Sequence, residues 1–137
     1  MKVRPITVLA VALLMLVSVG GRASAAVLGG TIEYSKSGGI AGIDESMKID
    51  REGRGRIEKR TFRLSAREGS RLAAAIRRAD LAHTRSPKSA GCCDFFFYSI
   101  RYRGHVVRWD DSARALPDRI ADLQAMLARL YTRYAPG

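Results

Sequence analysis

Histidine and cysteine are scarce, two of each in 137 residues, beside a single tryptophan and four prolines. Neither His83 nor His105 stands in a His-Glu-x-x-His motif or in any other metal or triad spacing, so each reads as a surface or strand residue. A zinc set of His83, Cys92, Cys93 and His105 has suitable ligand types but lacks the separated pairs of a structural site. No phosphate-binding loop or dinucleotide fingerprint follows a strand and opens a helix. Asp110 and Asp111 are neighbours, and successive strand side chains point apart, which argues against a working carboxylate pair. The sequence therefore offers no catalytic constellation, no metal site and no cofactor motif, and the expectation is a protein that performs no turnover of its own.

Acidic residues are also few, 13 against 24 Lys and Arg, for a formal charge of +11. With 47% hydrophobic and 27% charged residues the chain can form one core, is too short for a multidomain enzyme, and is too apolar for wholesale disorder. Long apolar runs are limited to Ile6 to Val19, which excludes a polytopic membrane protein. Lys2 and Arg4 precede that run and Ala23-Ser24-Ala25 follows it, the pattern of a Sec signal peptide spanning residues 1–25 and cleaved before Ala26. The run is shorter than the roughly 20 residues of a bilayer span, and no cysteine follows at a lipidation position. The expectation is an exported domain, 26–137, in the periplasm or the medium, with no membrane span after cleavage. Loss of Lys2, Arg4 and Arg22 leaves 21 basic against 13 acidic side chains, a net charge of +8. Such a balance favours solubility or steering toward an acidic partner. Nucleic acid is not expected, since export removes the chain from it and the arginines are scattered rather than striped with aromatics.

What is present orders itself as strands and helices. Thr31 to Lys36 alternates, with Ile32 and Tyr34 on one face, and Ile43, Met47 and Ile49 share a face of a second run. Between them, Ser37-Gly38-Gly39-Ile40-Ala41-Gly42 forms the turn of a hairpin. After the turn signal Gly53-Arg54-Gly55, Ile57 to Leu64 reads as a third strand. Ser65-Ala66-Arg67-Glu68 has the form of a capping box, and Leu72, Ala75, Ile76 and Ala79 continue as a helical stripe. Ala82 to Gly91 reads as a loop. In the aromatic stretch Asp94 to Tyr102, Phe96, Tyr98, Ile100 and Tyr102 share one face, while Phe95 and Phe97 interrupt the polar one; the first expectation is that a loop or the N-terminal segment covers them, the alternative an exposed aromatic patch that meets a partner. Arg103-Gly104 turns the chain into the strand His105 to Trp109. Pro117 suits the first turn of a last helix carrying Ile120, Leu123, Leu127, Leu130, Tyr131 and Tyr134. The order β-β-β-α-β-β-α predicts a single α+β domain, an antiparallel sheet of four to five strands with both helices on one face.

Cys92 and Cys93 are adjacent in a chain expected in an oxidising compartment. Their Cα atoms, held about 3.8 Å apart by the peptide bond, lie below the usual disulfide range. A local vicinal staple, a disulfide-linked dimer and two free thiols are all open, so the oligomeric state is open too.

The run Ile32-Glu33-Tyr34-Ser35-Lys36-Ser37-Gly38-Gly39-Ile40-Ala41-Gly42-Ile43, the Leu64-Ser65 helix start, the aromatic strand Asp94 to Tyr102, Arg108-Trp109-Asp110-Asp111 and a terminal helix opened by Pro117 together resemble the emfourin family of protealysin inhibitors. The resemblance covers nearly all of residues 26–137; the signal sequence and the cysteine pair depart from it. It implies reversible inhibition of a thermolysin-like zinc metallopeptidase, the protein partner, by occlusion of its active-site cleft. The residues suggest how: Ser37, Gly38, Gly39, Ile40, Ala41 and Gly42 form a turn with one large apolar side chain, Ile40, at its tip, and Arg103-Gly104 is a second contact if both hairpin tips point the same way. The alternative is a basic exported binding module for another hydrolase or an anionic envelope component.

Overall fold

In the computed structural model, residues 27–89 and 94–136 are described. The expected signal peptide and the Cys92-Cys93 pair lie outside them. Six strands form one sheet: β1 (Ile32–Gly38), β2 (Ile43–Ile49), β3 (Arg54–Ile57), β4 (Arg60–Arg63), β5 (Phe96–Tyr102) and β6 (His105–Asp110). Their spatial order is β4-β3-β2-β1-β5-β6, with every neighbouring pair antiparallel. Two helices, α1 (Ala66–Ala79) and α2 (Asp118–Tyr134), complete an α+β domain.

The sheet has one strand more than the upper end of the expected range, and the reason is local. The segment expected to be a single third strand folds back at Glu58-Lys59, with Glu58 at φ 51°, and gives β3 and β4 instead. Positive φ is uncommon at a glutamate, and the pair carries no Gly, Asn or Pro to mark the turn. Gly55 and Phe62 face one another across this hairpin, and the Phe62 ring lies over the glycine where a Cβ would stand.

Alternation places one face of the sheet in the core. Ile32 pairs with Ile49, Tyr34 with both Met47 and Ile100, and Ile100 with Val107, all buried. Leu72 of α1 and Leu123 and Leu127 of α2 are fully buried in the same cluster. Each such side chain is worth about 1.5–3 kcal/mol of transfer free energy. The other face carries no helix among the described residues and is polar: Lys48 and Arg101 both pair with Glu33, at 3.1 and 3.4 Å. The serine row Ser46-Ser35-Ser99 crosses its three central strands.

Helix starts follow the sequence signals. The Ser65 side chain accepts from Glu68 N–H while the Glu68 carboxylate accepts from Ser65 N–H, the complete capping box. Pro117 is the N-cap of α2 rather than a residue of its first turn. Tyr134, at the end of the α2 stripe, reaches both β4 and α1. Phe62 and Tyr134 stack at 4.2 Å between ring centres, and the Tyr134 hydroxyl donates to Glu68 at 2.9 Å.

Candidate functional site

The loop between β1 and β2 is built by its glycines. Gly38 and Gly39 have φ of 101° and 72°, torsions that residues with a Cβ rarely adopt. Both positions are also crowded: a Cβ on Gly38 would lie 2.5 Å from the Phe95 carbonyl oxygen, and one on Gly39 would lie 2.6 Å from the Phe96 ring. Gly39 N–H donates to that same Phe95 carbonyl at 3.2 Å. The turn closes when Gly42 N–H donates to Gly39 C=O at 3.0 Å, leaving Ile40 and Ala41 at its centre without positive φ. Ile40 projects into solvent from the tip of the turn, 91% exposed.

The start of β5 buttresses this loop. Gly38 pairs with Phe96, and Ser37 pairs with Phe97 on one side and Asp44 on the other. Lys36 Nζ stands 4.3 Å from the centre of the Phe96 ring, a cation–π contact. Phe95 and Phe96 are partly buried by this arrangement, but Phe97 is 46% exposed, contrary to the expectation that a loop or the N-terminal segment covers it. Ile40 and Phe97 thus put two exposed large apolar side chains at one end of the sheet.

Behind the aromatic segment lies an electrostatic support. Asp111 accepts from Phe96 N–H at 3.2 Å and donates its own N–H to the Phe96 carbonyl at 3.3 Å. Tyr98 stacks on Trp109 at 5.4 Å between ring centres. Burial, aided by the charge of Asp111 and a hydrogen bond to it, pushes the Tyr98 hydroxyl up to about 12. Asp110 is buried and accepts from the Ser112 backbone and from the hydroxyls of Ser112 and Ser89. The two aspartates therefore hold backbone and hydroxyls in place, with Asp110 inside and Asp111 exposed.

The remaining sequence candidates fall elsewhere. Arg103 and Gly104 have φ of 49° and 85°, as a type I′ hairpin turn requires, and join β5 to β6 beside the Ile32 end of β1. Gly38 is at the opposite end of that strand, roughly 20 Å away at about 3.3 Å per residue. The two tips do not point the same way, so the condition for a joint contact is not met. His83 is exposed with Nδ1 2.8 Å from Asp80 Oδ1, and His105 is exposed at the start of β6. Among the described residues no three His, Cys, Asp or Glu side chains gather as metal ligands, and no helix is long and apolar enough to cross a membrane. The buttressing of the glycine loop by Phe95 and Phe96 was not foreseen from the sequence; the aromatic run itself was its only signal.

Compared with known proteins, the chain matches no family model, no curated protein and no solved structure.

Proposed function

We propose that the chain is an exported protein inhibitor of thermolysin-like zinc metallopeptidases, which it blocks by lodging the 37–42 loop in the active-site cleft. One observation carries this reading: a glycine-built turn, tied to the adjacent aromatic strand, holds Ile40 almost fully in solvent at its tip. An apolar side chain in that position costs solubility and gains nothing within the fold, but it is already arranged to fill a hydrophobic specificity pocket. Ile40 enters that pocket, loop carbonyls reach the zinc or its water, and exposed Phe97 extends the contact at the rim. The turn resists being drawn out into an extended substrate, since its ends are held by the β1–β2 ladder and by the Phe95 carbonyl. Binding of this kind loses little entropy, because the loop is ordered beforehand. The Arg103-Gly104 turn takes no part.

The test is stoichiometric titration of a panel of thermolysin-like peptidases, alongside serine and cysteine hydrolases, with the purified protein. Loss of metallopeptidase activity alone is the expected result. Unaltered activity of every metallopeptidase at micromolar protein overturns the reading.

A further inference from the structure

Away from the glycine loop, the segment after α1 and the segment before α2 face each other across an open cleft of about 1010 Å³. Arg85 and Lys88 stand on one wall, Arg114 and Arg119 on the other, and no carboxylate belongs to the lining. Elsewhere on the molecule five cations stand in ion pairs, Lys48 and Arg101 with Glu33, Arg51 and Arg54 with Asp50 and Glu52, and Arg133 with Glu68, and others, such as Arg60 and Arg63, are spread along exposed edges rather than gathered around one concavity. Within the cleft the only ion pair among the described residues is that of His83 with Asp80 at 2.8 Å. Every acidic residue of the chain lies among the described residues. Asp80 pairs with His83, Asp110 is buried against Ser89 and Ser112, and Asp111, Asp118 and Asp122 lie outside the lining.

One of these cations is held in place by the fold. Arg119 donates through Nε to the Ala79 carbonyl and through Nη2 to Thr84 Oγ1, both at 3.1 Å, which ties the start of α2 to the end of α1. Its guanidinium has further N–H groups beyond these two. Ser86 Oγ accepts from Arg108 N–H at 2.9 Å, so its own hydrogen is left to donate. Unpaired like charges around one concavity repel, and an anion that joins them removes that repulsion. Three arginines among the four cations favour a planar-fork match to a tetrahedral oxyanion, and a charge of this size calls for more than one such group.

We infer that this cleft is a binding site for a ligand bearing two or more phosphate groups, separate from the loop surface and independent of peptidase inhibition. The site uses cations from both walls, so it closes around the ligand rather than lying beneath it. Binding is measured by calorimetry with inorganic tripolyphosphate, and by co-sedimentation with phosphatidylcholine vesicles with and without cardiolipin, whose headgroup carries two phosphates, which separates a free ligand from a headgroup. The double substitution Lys88→Ser/Arg114→Ser removes one cation from each wall, and Arg60→Ser/Arg63→Ser removes the same charge from the exposed edge of β4. The expected result is 1:1 binding of at least one of the two forms, weakened by about tenfold or more in the cleft variant and within about twofold of the parent in the edge variant. Binding of neither form at millimolar phosphate, or equal weakening by the two variants, overturns the assignment.

Discussion

Gly39 donates its backbone N–H to the carbonyl of Phe95 at 3.2 Å, joining a turn between β1 and β2 to a segment 56 positions further along the chain. The bond is possible because a glycine lets the two backbones approach, and it fixes the direction in which the turn leaves the sheet.

Gly38→Ala is expected to destabilise the protein by about 1–3 kcal/mol, since the new methyl meets the Phe95 carbonyl at a positive φ. Gly42→Ala, at φ 62° but with nothing within 4 Å of the added atom, carries the torsional part only and should cost about 1 kcal/mol. Urea unfolding of both variants decides it: equal midpoints would show that the contact with Phe95 contributes nothing.

Glu68 gathers four interactions: the N–H and hydroxyl of Ser65, the hydroxyl of Tyr134 at 2.9 Å, and Arg133 at 3.0 Å. Burial alone would raise its pKa, but the hydrogen bonds from Ser65 and Tyr134 and the charge of Arg133 hold it below the ordinary carboxylate value. A lowered folded-state pKa means that the unfolded chain binds the proton first on acidification. The contribution of Glu68 is therefore full above the ordinary carboxylate range and is lost as pH falls through the lowered pKa. Glu68→Gln should flatten the acid limb of the stability profile and cost about 1–2 kcal/mol at neutral pH through the weakened cap. An unchanged acid limb in chemical denaturation would remove Glu68 from that role.

Tyr98 gives the opposite dependence at the alkaline end. Its folded-state pKa of about 12 lies above the ordinary value of 10.0, so the unfolded chain releases the proton first. The stability it confers is complete below the ordinary tyrosine value and falls as pH rises from there toward about 12. Tyr34, Tyr131 and Tyr134 are also raised by burial, so spectrophotometric titration should show several tyrosines ionising late, and Tyr98→Phe should remove one tyrosine equivalent from the late part of the curve; an unchanged late amplitude in the variant would contradict the assignment.

Legibility followed the range of the interactions. The capping box from Ser65 to Glu68 spans four residues, and the start of the helix near Ala66 was readable from it. The alternation of Ile32 and Tyr34, and of Phe96 through Tyr102, gave both the strands and the buried face, because a strand has period two wherever it is. The β3–β4 turn was hidden because Glu58-Lys59 has no residue type that announces positive φ. The exposure of Phe97 and the opposed directions of the Gly38 and Gly104 turns depend on strand register and order, which pair residues more than fifty positions apart. The cationic cleft is of the same kind: Arg85 and Arg114 are unremarkable in sequence and become a site only when two loops face one another.

The central measurement is the inhibition constant of the parent protein and of Ile40→Ala and Ile40→Asp against a thermolysin-like peptidase, with unfolding midpoints taken alongside. Ile40 is 91% exposed, so both variants should fold with midpoints equal to the parent, while inhibition weakens by about 30- to 900-fold, the equivalent of a buried anchor worth about 2–4 kcal/mol. Inhibition by Ile40→Asp as strong as that of the parent would contradict the account.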